Sequence, residues 1–538
     1  METTHTALEA AVAEWRTALG HEHVLSRQAA TAAYGRDTTG IERSVPAALR
    51  ILDGARLPEV MRIAQRHRVA VYPISTGRNW GYGSALAVNG ACVILDLSGM
   101  NRILHFDPEM GVATLEPGVT QGMLADFLDS NNYPFMVPTT GAGPECSLLG
   151  NALERGYGVT PHTDHFGAVT DLEAVLADGS RYRTAMREAG GEELARLFKW
   201  GIGAYSAGLF TQSGLGVVTR MSILLARRPE VVKVCLFSLK DDALLEPAIE
   251  RIRAILGRLP GTVAGLNLMN RHRVLAMSAP YPADRLGPDG LMPPALVEEL
   301  GRQYQIFPWT GFGTLYGTRR MVAAAQKEIR AALKGVASRM LFLSQDNANT
   351  LRRLAGWMPG AAGQRLASTA ATLARSLELA GGRPNETALP LAYWRNPAGS
   401  GDGRAPRNPA RDGCGLIWYA PLVPMRAQGA RAYVEMVGAI TRKHGMEPLL
   451  TFTSLSDKLF DSTVPLLFDR NSPTAVEAAQ ACYRELILRG REQGFFPYRL
   501  AISAMPELAA LTQDSQGLHE RLRRELDPHD LLAPGRYR

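Results

Sequence analysis

The sequence predicts an α+β protein of more than one domain, and three observations carry that expectation. Short β-branched or apolar runs, bounded by Gly, Asn or Pro, recur along the chain. Between them lie segments whose apolar residues return three and four positions apart, the period of a helix with one buried face. The length, 538 residues, exceeds what a single hydrophobic core supports.

The elements follow in order. Residues up to about 70 read as helix, extended segment and helix, and in LPEVMRIAQRH, residues 57–67, Val60, Ile63 and Ala64 share one face. Strands are expected over 69–74, 91–97 and 112–117, and a helix over 120–130. Residues 172–183 read as two strands joined at Asp178-Gly179, a dipeptide suited to a tight hairpin. A strand over 217–225 leads to Arg228-Pro229, where composition changes and a domain boundary is expected. Beyond it, helices over 247–256, 321–333 and 430–444 alternate with strands over 231–237 and 448–453. The Gly-, Pro- and Arg-rich segment 399–413 is expected as loop.

Charge and cysteine content narrow the function classes. Lys and Arg number 59 against 52 Asp and Glu, a formal net charge of +7. The excess is scattered in arginines such as Arg227, Arg228, Arg523 and Arg524, without a basic run interleaved with aromatics, so no nucleic-acid partner is expected. Five cysteines, Cys92, Cys146, Cys235, Cys414 and Cys482, lie far apart in no metal-ligand spacing, and their odd number excludes a full set of internal disulfides. That suits a reducing compartment. The N-terminal METTHTALEAAVAEWR carries acids and helical periodicity where a secretory signal needs a basic start and an apolar stretch. No window approaches the roughly 18 apolar residues of a membrane span. A cytoplasmic protein with no membrane partner is the expectation.

One segment points to a ligand. In VYPISTGRNWGYGS, residues 71–84, an apolar strand runs into a loop with three glycines and a hydroxyl pair. Ser75, Thr76, Gly77, Gly81 and Gly83 let the main chain approach closely, and successive amides there can form a nest for phosphate, with Arg78 and Asn79 in the same turn. A pyrophosphate cofactor fits such a nest. The spacing is neither that of a P-loop nor the Gly-x-Gly-x-x-Gly of a dinucleotide fold. Taken alone, the turn is equally well a structural one.

Four further blocks accompany it: SLLGNALERGYGVTPH at 147–162, GLFTQSGLGVVT at 208–219, Pro497-Tyr498-Arg499, and LLAPGRY at 531–537. In this order and over most of the chain, they resemble the vanillyl-alcohol oxidase and p-cresol methylhydroxylase family of flavoproteins. The resemblance implies a two-part FAD-binding domain of the p-cresol methylhydroxylase type, residues 1–228 and 495–538, interrupted by an α+β substrate or cap domain over 229–494. It places the FAD diphosphate on the loop from Ser75 to Gly83, further flavin contacts at Ser147, Gly150, Asn151, Gly156 and Gly158, and Val218 near the adenine. Tyr82, Tyr498 and Arg499 match the family's phenolate-binding set. Two phenol donors and a guanidinium on one oxygen would lower a substrate phenol's pKa. The phenolate would then assist hydride loss from the para side-chain carbon to flavin N5, leaving a quinone methide open to water.

Two departures from the family pattern stand out. The family's oxidases place an acid near N5, where an ungapped match puts Ala142 and where Glu145 is the nearest acid. Either the loop shifts and Glu145 acts as the base, or the acid is missing as in some hydroxylating members. Covalent flavin attachment in the family uses a cap-domain His or Tyr, yet DGCGLIWYAPLVP at 412–424 holds no histidine. Non-covalent FAD is expected, with Tyr419 and Cys414 the chemically capable residues in that block. His162 and His165 flank Asp164 but lack the third ligand of a zinc site, so they are expected to order the loop rather than bind metal. Asp527-Pro-His-Asp530 reads as a helix-ending turn.

The function implied is an FAD-dependent oxidoreductase acting on a phenolic or related aromatic substrate, with oxygen or another electron acceptor, in a chain compatible with a homodimer. In a second enzyme reading Arg499 holds the carboxylate of a 2-hydroxy acid or a biosynthetic intermediate. A non-enzyme reading, a basic interaction protein on a flavin fold, rests only on the net charge.

Overall fold

The computed structural model describes residues 5–355, 360–396, 406–508 and 517–537. It is α+β, built on three main sheets. In the first, Val24–Leu25, Ala48–Arg50, Val93–Asp96 and Val71–Ile74 lie side by side in that order. The last three are parallel. Parallel strands are buried on both faces and need helical crossovers. Leu57–His67 supplies one, burying Val60, Ile63 and Ala64 on the expected face. His5–Leu19 packs on it, and the Trp15 indole donates to Val60 O (3.1 Å).

The second sheet is antiparallel, in the order Ile103–Asp107, Val112–Leu115, Val217–Leu224, Val169–Val175 and Arg181–Arg183. The expected hairpin at Asp178-Gly179 is present, with Gly179 at φ 82° and Asp178 Oδ1 accepting from Ser180 N (2.8 Å). Gln121–Ser130, capped by Thr120, packs in the core of this sheet.

The largest sheet runs Ser338–Leu343, Val231–Leu239, Trp309–Gly317, Val263–Asn270, Thr451–Ser454, Leu459–Asp469, Pro421–Pro424 and Phe496–Pro497, with Cys414–Tyr419 paired to the other half of Leu459–Asp469. Its two faces divide by the period-2 rule of a strand. Leu266, Leu268, Phe452, Phe460, Val464 and Leu466 enter the core with residues of Leu245–Arg258, Arg319–Ala332, Ala427–Lys443 and Pro473–Glu492. Asn267, Met269, Thr451, Thr453, Asp461 and Thr463 line a cavity on the opposite face.

The twenty-residue helix Pro473–Glu492 has no counterpart among the expected elements, although its signals are local. Ser472 caps it, Pro473 opens it, and Ala479, Cys482, Tyr483 and Leu486 repeat at helical spacing. The pair Gln345–Ala355 and Gly360–Ala380 was likewise not anticipated. Of the expected loop 399–413, residues 399–405 lie outside the described residues, and 406–413 form coil and turns.

The end of the chain returns to the first sheet. Leu518–Leu526 stops at Asp527, whose carboxylate accepts from Leu531 N (2.9 Å) and Leu532 N (2.8 Å), which is the turn expected there. Residues 531–533 then lie beside Val71: its N–H donates to Leu531 O (2.8 Å) and its carbonyl accepts from Ala533 N (2.8 Å). All five cysteines are buried free thiols, and among the described residues no helix is long and apolar enough to cross a membrane.

Candidate active site

A cavity of about 500 Å³ lies between the first two sheets and the polar face of the large one. Such a volume is in the range of small-molecule and cofactor sites. At the end of strand Val71–Ile74 the chain opens into Ser75, Thr76, Gly77, Arg78 and Asn79, all lining one wall. Ser147, Gly150, Asn151, Gly156 and Gly158 line the adjoining wall, with Val218 beyond them. Ser147 caps the short helix Leu148–Leu153, accepting from Gly150 N (2.9 Å). Asn151 is held by a hydrogen bond to the His165 ring, and Gly158 N donates to Thr163 O (2.9 Å). His165 therefore fastens this wall; burial drives its pKa down to about 3, so the ring is neutral.

Gly81 and Gly83 stand apart from the other loop residues, because neither lines the cavity. They face protein. Gly81 has φ 74°, and a Cβ on it would fall 2.2 Å from Trp418 Cδ1; Gly83 has φ 128°, and a Cβ there would fall 2.4 Å from Ile502 Cγ2. Gly81 N donates to Thr38 Oγ1 (2.8 Å), Trp418 N to Gly81 O (3.1 Å), and Ile502 N to Tyr82 O (3.1 Å). These glycines let the loop dock against the large sheet and the 498–502 segment, which aims Tyr82 into the cavity between them.

Tyr82, Tyr498 and Arg499 come together on that wall. The Arg499 Cζ lies 4.2 Å from the Tyr82 ring centroid, a cation–π stack, and its Nη2 donates to Asn79 Oδ1. Burial raises the pKa of both tyrosines, so both keep their protons at neutral pH. Glu154 sits behind: Arg499 Nε lies 3.6 Å from its Oε2, Arg536 pairs with its other oxygen, and Tyr537 Oη donates to it (3.3 Å).

Two residues of this site were not anticipated. Asp461, 4% exposed, adjoins Tyr498 and Arg499 from the large sheet, and burial raises its carboxyl to about 7 against the pull of Arg499 and a hydrogen bond from Tyr498. Its signal was one acid near the start of the strand run LFDSTVPLLFD, residues 459–469, which also holds Ser462, Thr463 and Asp469. Arg273 lines the cavity from the helix Arg271–Ser278, and its signal, one arginine of Arg-His-Arg, does not stand out.

Glu145 lies off the cavity wall and pairs with Arg78, while Ala142 lines the wall. Tyr419 and Cys414 are wholly buried and do not line it either: Tyr419 enters the core on the other side of the strand, and Cys414, on the same strand face as the lining residues Leu416 and Trp418, is covered by its neighbours. Among the described residues no group of three or more His, Cys, Asp or Glu has metal-holding geometry.

Residues 49–185, which supply the 75–79 turn and the 147–158 wall, match the model of the FAD binding domain. Over 98% of its length the chain is 34% identical to the 1'-carboxy-chondrochloren decarboxylase of Chondromyces crocatus, covering 97% of that protein. This chain belongs to the p-cresol methylhydroxylase and vanillyl-alcohol oxidase family of FAD-dependent oxidoreductases. The flavoprotein subunit of 4-cresol dehydrogenase [hydroxylating] from Pseudomonas putida is 28% identical over 98% of this chain and 94% of its own. The crystal structure of p-cresol methylhydroxylase with substrate bound superposes with a TM-score of 0.86 at 26% identity, over 99% of this chain and 97% of the other.

The residues present fit FAD. Small side chains and main chain line the wall from Ser75 to Asn79 and from Ser147 to Gly158, as a long planar ligand with a diphosphate requires. Asp461 Oδ1 and Arg273 Nη1, both on lining residues, are buried without a hydrogen-bond partner. Each such atom costs about 1–3 kcal/mol if nothing meets it, so the cavity is built for a polar occupant.

Proposed function

We propose that this member oxidises the para side chain of a phenol. The observation that carries the reading is the convergence of Tyr82, Tyr498, Arg499 and Asp461 on one end of the cavity. Tyr498 donates its proton to Asp461, so its oxygen is free to accept a hydrogen bond from a substrate hydroxyl. The substrate's proton moves to Tyr498 Oη as the tyrosine's own proton moves to Asp461. Tyr498 ends as a donor to the phenolate, and the Arg499 cation stabilises the negative oxygen. FAD, when bound, supplies the two-electron acceptor for the hydride leaving the side-chain carbon next to the ring. Ala142, where an acid would stand in the family's oxidases, leaves no base on that wall, and the remaining product is a quinone methide.

The relative from Chondromyces crocatus favours a second fate for that intermediate. With a carboxylate on the second side-chain carbon, the C–COO⁻ bond breaks, CO₂ leaves, and its electron pair forms a C=C bond as the ring returns to a phenolate. Net, the substrate loses a hydride and CO₂ and becomes a vinylphenol.

We further propose non-covalent FAD, since neither Tyr419 nor Cys414 lines the cavity, and a cytoplasmic location, in keeping with five free thiols. The electron acceptor is oxygen or another oxidant. The test is anaerobic bleaching of the flavin by 4-alkylphenols. Arg499→Ala is expected to slow it by about 100-fold or more. Unchanged phenol affinity and bleaching rate in that variant would remove phenols as the substrate class.

A further inference from the structure

The cavity has a second charged pole. Asn270 caps the helix Arg271–Ser278, accepting from Arg273 N (3.0 Å). The same side chain is fixed to the neighbouring segment, donating to Pro448 O (2.6 Å) and accepting from Leu450 N (3.1 Å). Arg273 is thereby held at the edge of the sheet's polar face, and its Nε donates to Thr451 Oγ1 (3.2 Å). Its Nη1 is buried with no hydrogen-bond partner. Among the described residues no carboxylate forms an ion pair with it, and burial alone lowers its pKa, to about 10, which leaves it charged at neutral pH. A guanidinium that carries a buried, unpartnered Nη1 and has no counter-ion is costly, and native chains pair such groups with an anion.

Its position relative to the phenol end follows from the sheet register. Thr453 pairs with Asp461 and Thr451 with Thr463, so the Arg273 contact lies two residues along the strand from the Asp461 contact, about 7 Å at about 3.4 Å per residue. Asn267 and Met269 line the wall from the adjacent strand, and Met277 lines it from the Arg273 helix. That spacing suits one molecule with a phenol at one end and an anion on a short para chain.

We infer that Arg273 is a specificity residue which binds a carboxylate on the substrate's para side chain, so that the preferred substrates are 4-hydroxyphenyl-alkanoates rather than neutral alkylphenols. The inference rests on the phenol end being held at Tyr82, Tyr498 and Arg499. Arg is suited to the task because its planar fork meets both oxygens of a carboxylate.

The probes are 3-(4-hydroxyphenyl)propanoate and 4-propylphenol, titrated into the flavin-loaded enzyme and followed by perturbation of the flavin spectrum. Wild type is expected to prefer the acid by about 30-fold, the scale of one charge-assisted contact, and Arg273→Met to abolish that preference. Arg273→Lys, which keeps the charge, is expected to retain part of it, and flavin content reports whether each variant is folded. A wild type that binds 4-propylphenol as tightly as the acid overturns the inference, as does a preference that survives Arg273→Met. Failure of the phenol reading has a different signature: Tyr498→Phe would weaken neither ligand, or neither would perturb the flavin at all.

Discussion

Tyr498 has one proton to give, and the direction in which it points decides what Asp461 can do. With the carboxyl of Asp461 raised to about 7 by burial, the relay is ready only above that pH. The rate of flavin reduction by phenol is therefore expected to rise through about pH 7, and Asp461→Asn to lose this limb together with about 100-fold or more in rate. The same group acts on stability with a definite sign. A carboxyl at 3.8 when unfolded and about 7 when folded binds its proton more tightly in the folded state. Its contribution is full at pH 3 and is lost as pH rises to about 7, so Asp461→Asn is expected to raise Tm relative to wild type at pH 8 but not at pH 4. A Tm gain equal at both values would refute the assignment. Tyr82, Tyr498 and Arg499 were legible because they sit in blocks with a recognisable order. Asp461 and Arg273 were not, because a lone charge in a strand or helix acquires meaning only when another segment folds opposite it.

At the scale of elements, strands and helices with clean periodicity were readable, down to the buried face of Leu57–His67. Where the strand expected from 448 begins only at Thr451, the reason is visible: Pro448 and Leu450 bond to Asn270, and Leu449 N donates to Glu447 O, instead of continuing the ladder. The glycine loop shows the limit of a local motif. Its sequence suggests a phosphate cradle throughout, yet Gly81 and Gly83 are required by close approach to Trp418 and Ile502, residues more than 300 positions away. Gly81→Ala adds a positive-φ penalty and an overlap with Trp418, and a destabilisation of about 2–4 kcal/mol is expected in denaturant titration. Gly190→Ala, also at positive φ but with open space around it, isolates the conformational part at about 1–2 kcal/mol. Equal losses in the two variants would mean that the contact with Trp418 contributes nothing.

For the molecule as a whole, the α+β class and the FAD-binding domain were legible, whereas the cavity was not, since its walls are drawn from segments near 75, 150, 270, 450 and 499. Arg536 joins these parts, bonding Tyr72 Oη (2.6 Å) and pairing with Glu154, which also backs Arg499. Arg536→Ala is expected to loosen the cofactor wall, so that flavin is lost by dilution about 10-fold faster than from wild type, on the scale of about 1.4 kcal/mol. Acid precipitation of either protein is expected to leave the yellow colour in the supernatant, and a coloured pellet would show a covalent link.

The pairing of residues 531–533 with Val71 also sets an order of events during synthesis. Domains tend to fold as they emerge from the ribosome, but a sheet that needs its last partner cannot close until that partner exists. The strand leading into the cofactor loop is made early and completed only some 460 residues later. Until then that edge of the strand is unpaired, and stable capture of flavin is expected to follow the docking of residues 531–533. Yellow colour in this protein is thus expected to report that residues 531–533 have found the first sheet.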